Sequence, residues 1–275
     1  MKKILKFLLA VIVYTVTFIV ASSVLPFSSE FMESGSSENP FIMLFFFVFA
    51  AFVCLTIFFI IKHSRISGKR LFVNVFCVMF FTIFFLNQAE SLVFGGALYT
   101  LSRMDAVLSM LAGLLPLTAT VALLVKFFQN KKDLQEINKF SDKYILVKLG
   151  IIGIVYLCSF VLLGFIMTWL FDGFQTHYGE AIMDTPNAFA NAGFQILRGI
   201  LLGAAVIPLM RIIKSKRIYI LCICMVYLCP AIQMLIPNGF FPDDVRIEFL
   251  IEMTGAMLLF GIITGNILWR SKVNE

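Results

Sequence analysis

Charge is scarce in this chain of 275 residues: 14% are Asp, Glu, Lys or Arg against 60% hydrophobic, and the mean hydropathy is +0.97. A water-soluble domain carries about a quarter of its residues as charges, so that class is excluded, and lipid is the solvent left for so much apolar surface. Histidine is nearly missing too. His63 and His177 stand alone, neither in a His-Glu-x-x-His pattern, which removes the usual zinc hydrolase. The six cysteines all fall in apolar stretches with no Cys-x-x-Cys pair, so neither a disulfide framework nor a zinc site is indicated. Cys222, Cys224 and Met225 read as packed apolar residues and not as a copper site. There is no Gly-x-x-x-x-Gly-Lys-Ser/Thr phosphate loop. Ser34-Gly35-Ser36-Ser37 lacks the strand-turn-helix context of a nucleophile elbow. Every Asp falls at or outside the end of an apolar run, which excludes an intramembrane aspartyl pair. No metal and no cofactor is therefore expected. The alternating pattern of a transmembrane barrel is also missing, since Phe41 to Ile61 is almost uninterruptedly apolar.

What is present is a series of apolar runs, each long enough to cross a bilayer. They cover Ile4 to Val24, Phe41 to Ile61, Leu71 to Phe94, Val107 to Phe128, Tyr144 to Phe171, Phe189 to Met210, Ile218 to Ile236 and Val245 to Trp269. The expected fold is an all-α polytopic bundle of about eight spans, because a span must satisfy its own backbone hydrogen bonds in hydrocarbon. The basic start at Met1 and the Ala21-Ser22-Ser23 stretch resemble a signal peptide. However, the run from Phe7 to Leu25 exceeds the roughly 15 residues of a signal's apolar region and is read as the first span.

Lys and Arg fix the expected orientation, because short loops rich in them stay cytoplasmic. One alternate set of connections holds Lys2, Lys3 and Lys6, then Lys62 to Arg70, Lys126 to Lys148, Arg211 to Arg217, and Arg270 with Lys272. The opposite set holds acidic residues such as Glu30, Glu33, Asp172 and Asp243. Both termini are thus expected in the cytoplasm, with the chain crossing the cell membrane many times. The formal charge of +6 follows from this topology, and no nucleic acid partner is expected.

The chain also reads as a weak internal duplication of four spans each, with residues 1–128 as one half, 129–143 as a cytoplasmic linker and 144–275 as the other. Each half has a Lys-led first span, a long polar loop, a basic turn after its second span, and a last span opening near an Arg and an acid, Arg103 with Asp105 and Arg246 with Glu248. Four spans per half is even, so the copies would be parallel, related by an axis along the membrane normal.

Ionisable residues inside spans are costly and mark function by default. Three qualify: Glu90, Arg198 and Glu252. At 1.5 Å per residue each lies roughly 7 to 15 Å inside the acidic end of its span. Asn187, Asn191, Gln195 and Arg198 recur on one helical face, as do Asp244, Glu248 and Glu252. Gln88 flanks Glu90, and Gln233 lies near the same end of the seventh span. Arg198 balances only one of the two glutamates. The other must be protonated, meet Arg246 or Arg103, or receive a cation. The expected ligand site is therefore Gln88, Glu90, Gln195, Arg198, Gln233, Arg246 and Glu252, a polar pocket in the outer leaflet; a structural clamp between helices is the alternative.

Phe194-Gln195-Ile196-Leu197-Arg198-Gly199, then Pro237-Asn238-Gly239-Phe240-Phe241-Pro242, Val245-Arg246 and Glu252, resemble motifs in a group of bacterial multi-pass membrane proteins, and Gln88 with Glu90 fits that group's Gln-x-Glu pattern. The resemblance implies architecture and a shared polar site, and no reaction. Where its members often carry His, this chain has Phe249, a departure that weakens a metal site. The leading functional expectation is transport or binding of a small molecule, ion or lipid. The alternatives are an intramembrane enzyme on a lipid-borne substrate, with Glu90 or Glu252 as acid or base, and an accessory or sensor subunit without chemistry.

Overall fold

The computed structural model describes residues 2–35, 39–94, 102–129, 143–171, 188–239 and 243–269, with the side chains of residues 34, 90, 94 and 188 outside the description. Eight helices among the described residues are long and apolar enough to cross a membrane. They are Lys2–Val24, Ile42–His63, Gly68–Ala89, Arg103–Phe128, Ile145–Leu170, Phe189–Ile212, Lys216–Gln233 and Asp243–Leu268, called the first to eighth spans below. No strand occurs among the described residues; the one ladder contact is an isolated antiparallel bridge between Ser64 and Ile213.

In hydrocarbon, hydroxyls have no water and turn to their own helix. Thr56 Oγ1 donates to Phe52 O at 3.0 Å and Thr82 Oγ1 to Val78 O at 2.8 Å. Two spans are not uniform. The third runs as α-helix over Gly68–Met79, widens to a π-helix over Phe80–Phe85 and resumes as Leu86–Phe94. The fourth is interrupted at Gly113, where an added Cβ would run into the ring of Phe84. It also begins earlier than the apolar run at Val107, because Ser102 caps it: the Asp105 N–H donates to Ser102 Oγ at 3.1 Å. The loop after the first span carries a short helix, Ser29–Gly35, that the sequence reading treated as a polar connection.

The spans neighbour one another in a circuit: first, fourth, third, sixth, fifth, eighth, seventh, second, and back to the first. Contacts between second and fourth, and between third and seventh, cross its interior. Tyr14, Phe49, Ile57, Tyr227 and Phe260 are fully buried there or nearly so. Tyr227 stacks on Phe260 with ring centroids 5.2 Å apart and donates its hydroxyl to Leu202 O at 2.9 Å, the partner a buried tyrosine needs. The outside is apolar as well: Leu146, Ile154, Val161, Phe165 and Trp169 of the fifth span are all exposed. Surface of that kind draws monomers together in water and is solvated in lipid. The chain is a multi-pass integral membrane protein.

At the basic end, the turns after the second and sixth spans meet. Arg65 N–H donates to Ile212 O at 2.8 Å, beside the Ser64 bridge to Ile213, and Arg65 Nη2 reaches Lys214 O at 3.3 Å. Gly68 starts the third span with φ of 63° and gives its N–H to Gln129 Oε1 at 2.7 Å. A side chain in that left-handed backbone is strained. Gly68→Ala is expected to lower stability by about 1 kcal/mol, read as an earlier thermal midpoint in detergent, with Gly68→Asn recovering part of the loss.

Candidate functional site

The π turn of the third span precedes its polar residues. An extra residue per turn at that point turns the following face, and Asn87 and Gln88 then lie against the interior. Asn87 Nδ2 donates to Gln233 Oε1 of the seventh span at 3.3 Å. Around this contact, at the end of the bundle away from the basic turns, lies a cavity of about 500 Å³. Its long walls are aromatic, with Phe18, Phe46, Phe49 and Phe84 from the spans and Phe27 and Phe31 from the strap that follows the first span. Its polar lining comes from Ser22, Asn87, Gln88, Ser91, Ser109, Gln233 and Asn238. Among the described residues that line it, none is ionisable.

The strap is held down by one carboxylate. Asp105, 1% exposed, accepts the Ser28 N–H at 2.9 Å and the Ser28 hydroxyl at 2.7 Å, and also the hydroxyl of Ser102. Ser28 Oγ in turn accepts the Phe31 N–H at 3.1 Å, starting the short helix that carries Phe31 and Met32 into the cavity wall. Sequence reasoning used Asp105 only as a boundary marker. The signal was there, since Ser-x-x-Asp ahead of an apolar run is a capping box.

Six of the seven expected site residues have described side chains, and they lie in four places. Gln88 and Gln233 line the cavity together. Arg198 lines a separate crevice of about 10 Å³, room for about one water, with Asn87, Tyr227, Met253 and Met257. Its guanidinium carbon lies 6.0 Å from the centroid of the Tyr156 ring, within cation–π range. One turn before it on the same helix, Gln195 is fully buried and donates to Asn191 Oδ1 at 3.2 Å. Arg246 is buried at the start of the eighth span and pairs with Asp243 at 2.8 Å. Glu252 is 5% exposed and faces the fifth span: a Cβ on Gly164 would lie 3.9 Å from its Oε1. Among the described residues it makes no ion pair. Glu90 belongs to the Leu86–Phe94 helix, but its side chain, like Asn187, lies outside the described residues.

Asn87, Ser91 and Ser109 were not singled out from the sequence, and neither was the aromatic wall. Among the described residues no three His, Cys, Asp or Glu side chains come together. The chain matches no known protein family, no curated protein and no solved structure.

Proposed function

We propose that the chain binds a small, uncharged amphipathic molecule in the cavity beneath the strap and moves it across the bilayer. The observation that carries this reading is the wall itself: wide enough for a small ligand, apolar along most of its surface with six phenylalanines, amide- and hydroxyl-bearing on the rest, and without an ionisable side chain among the described residues. An ion entering there would lose its hydration and meet no opposite charge among the described lining residues. A neutral ligand places its apolar body on the phenylalanines and its polar head on Asn87, Gln88 and Gln233.

By the positive-inside rule the basic turns are cytoplasmic, which puts the cavity in the outer leaflet of a bacterial cytoplasmic membrane. Transport is favoured by the internal repeat. Replacing each span by the one four later returns the same circuit of neighbours, as parallel repeats about a membrane-normal axis would. Under that exchange the turn at Ser64 becomes the turn at Ile213, and these two turns pair with each other. The bundle is thereby closed at the basic end and hollow at the other, an arrangement suited to opening the ends in alternation.

The test uses a photoreactive long-chain alcohol and protein in phosphatidylcholine nanodiscs. Labelling is expected on peptides carrying Phe27 to Met32 and Met234, and Ser109→Trp, which fills the space, should reduce it about tenfold. Labelling spread evenly over the lipid face, indifferent to Ser109→Trp, would reject the cavity as a ligand site.

A further inference from the structure

The two halves share more than their circuit of helices. One spacing relates Tyr14, Phe18 and Ser22 of the first span to Tyr156, Phe160 and Gly164 of the fifth. Another relates Arg103, Asp105, Ser109 and Ala112 of the fourth span to Arg246, Glu248, Glu252 and Gly255 of the eighth. Phe18, Ser22, Ser109 and Ala112 all line the aromatic cavity. Their counterparts bring a glycine and a carboxylate face to face, since Glu252 Oε1 lies next to Gly164. The second half therefore repeats the cavity's framework with the two serines replaced, one by a space and one by a charge.

Glu252 is buried and, among the described residues, has neither an ion pair nor a hydrogen bond through its carboxylate. A carboxylate held so deep among apolar helices must take a proton or meet a counter-charge. Arg246 pairs with Asp243 through Nη2 and makes no ion pair with Glu252, and neither does Arg198, which shares its crevice with Met253. Hard metal cations are held by several carboxylate and carbonyl oxygens, and among the described residues no three His, Cys, Asp or Glu side chains come together here. One carboxylate in apolar surroundings instead suits an ammonium group. The way in is from the side. Gly255, next to Glu252 on the helix, is exposed, and Ile251, Leu162 and Phe165 around it face outward.

We propose that the notch formed by Gly164, Glu252 and Gly255 between the fifth and eighth spans is a second ligand site, which receives the ammonium head of a cationic amphiphile entering from the bilayer. The alkyl tail lies along the exposed apolar side chains, and the head meets the carboxylate where Gly164 leaves room. This site stands on the geometry of Glu252 and is independent of what the aromatic cavity binds.

Dodecylammonium and dodecanol differ in the charged head and provide the test, with protein in nanodiscs of neutral phosphatidylcholine. Wild type is expected to bind the amine about tenfold more tightly than the alcohol beyond empty nanodiscs, the free energy of one modest ion pair. Glu252→Gln should erase that preference, and Gly164→Leu should erase it with the carboxylate intact. A second measurement needs no variant: dicyclohexylcarbodiimide modification of Glu252 in wild type should slow about tenfold under saturating dodecylammonium and not under dodecanol. Equal affinity for the two ligands, a preference that survives Glu252→Gln, or modification that the amine does not slow would overturn the site.

Discussion

Leucine at Gly199 is expected to force the fifth and sixth spans apart and to cost about 3 kcal/mol. A Cβ at that position would lie 2.5 Å from the Tyr156 Cβ and 3.0 Å from the Cα of Gly153. Gly153 is equally confined, its added Cβ falling 2.7 Å from the Ile196 carbonyl oxygen. The two helices thus touch backbone to backbone, and backbone cannot rotate away as a flexible side chain can. Lipid tails are as apolar as any side chain, so close packing of this kind, and not withdrawal from water, is what holds membrane helices together. Tyr156 would carry the disturbance further, since its ring packs edge-on to Phe260 at 5.0 Å and lies under Arg198. Gly150 and Gly193 sit on the same two helices with nothing within 4 Å of an added Cβ. Leucine at either should be neutral. The comparison is made by thermal unfolding in detergent, and a Gly199→Leu protein as stable as Gly193→Leu would show that the spans are not packed in this way.

Asp105→Ala should release the strap over the cavity. The carboxylate accepts from the Ser28 backbone, the Ser28 hydroxyl and the Ser102 hydroxyl within a buried site. Hydrogen bonds to a charged group are worth about 1.5 to 3 kcal/mol each, and the donors left behind would be stranded. A local loss of about 3 kcal/mol is a conservative expectation. It should appear as faster amide exchange across Phe27 to Met32, with the second, fifth and eighth spans unchanged. Asp105→Asn keeps one acceptor and should fall between wild type and alanine. Protection that survives in the alanine variant would mean that Phe27 and Phe31, stacked at 4.6 Å, hold the strap by themselves.

How much of this was legible beforehand differs by kind of feature. Eight spans follow from run length alone, because hydrocarbon permits a long apolar segment little besides a helix. The π turn at Phe80–Phe85 was not legible: it sits in a run of phenylalanine and isoleucine broken only by Thr82, where composition says nothing of how the backbone pairs. The start of the fourth span at Arg103 was encoded in Ser102 and Asp105 but lay outside the apolar run. For the site, the rarity of amides inside spans pointed to Gln88 and Gln233, and these share the cavity. The aromatic wall had no such contrast, since 32 phenylalanines occur throughout the chain and nothing marks the six that face inward. Ser109 and Ser22 were hidden for a related reason, a lone serine being unremarkable on a membrane helix until its neighbours are known.

Asn87 stands in the partition between the two hollows, its amide bonded to Gln233 and its side chain bordering both the aromatic cavity and the Arg198 crevice. A molecule that takes hold of that amide on one side withdraws it from the other. A ligand in the cavity and the groups around Arg198 therefore meet at one amide. Asn87 is the residue that the two hollows share.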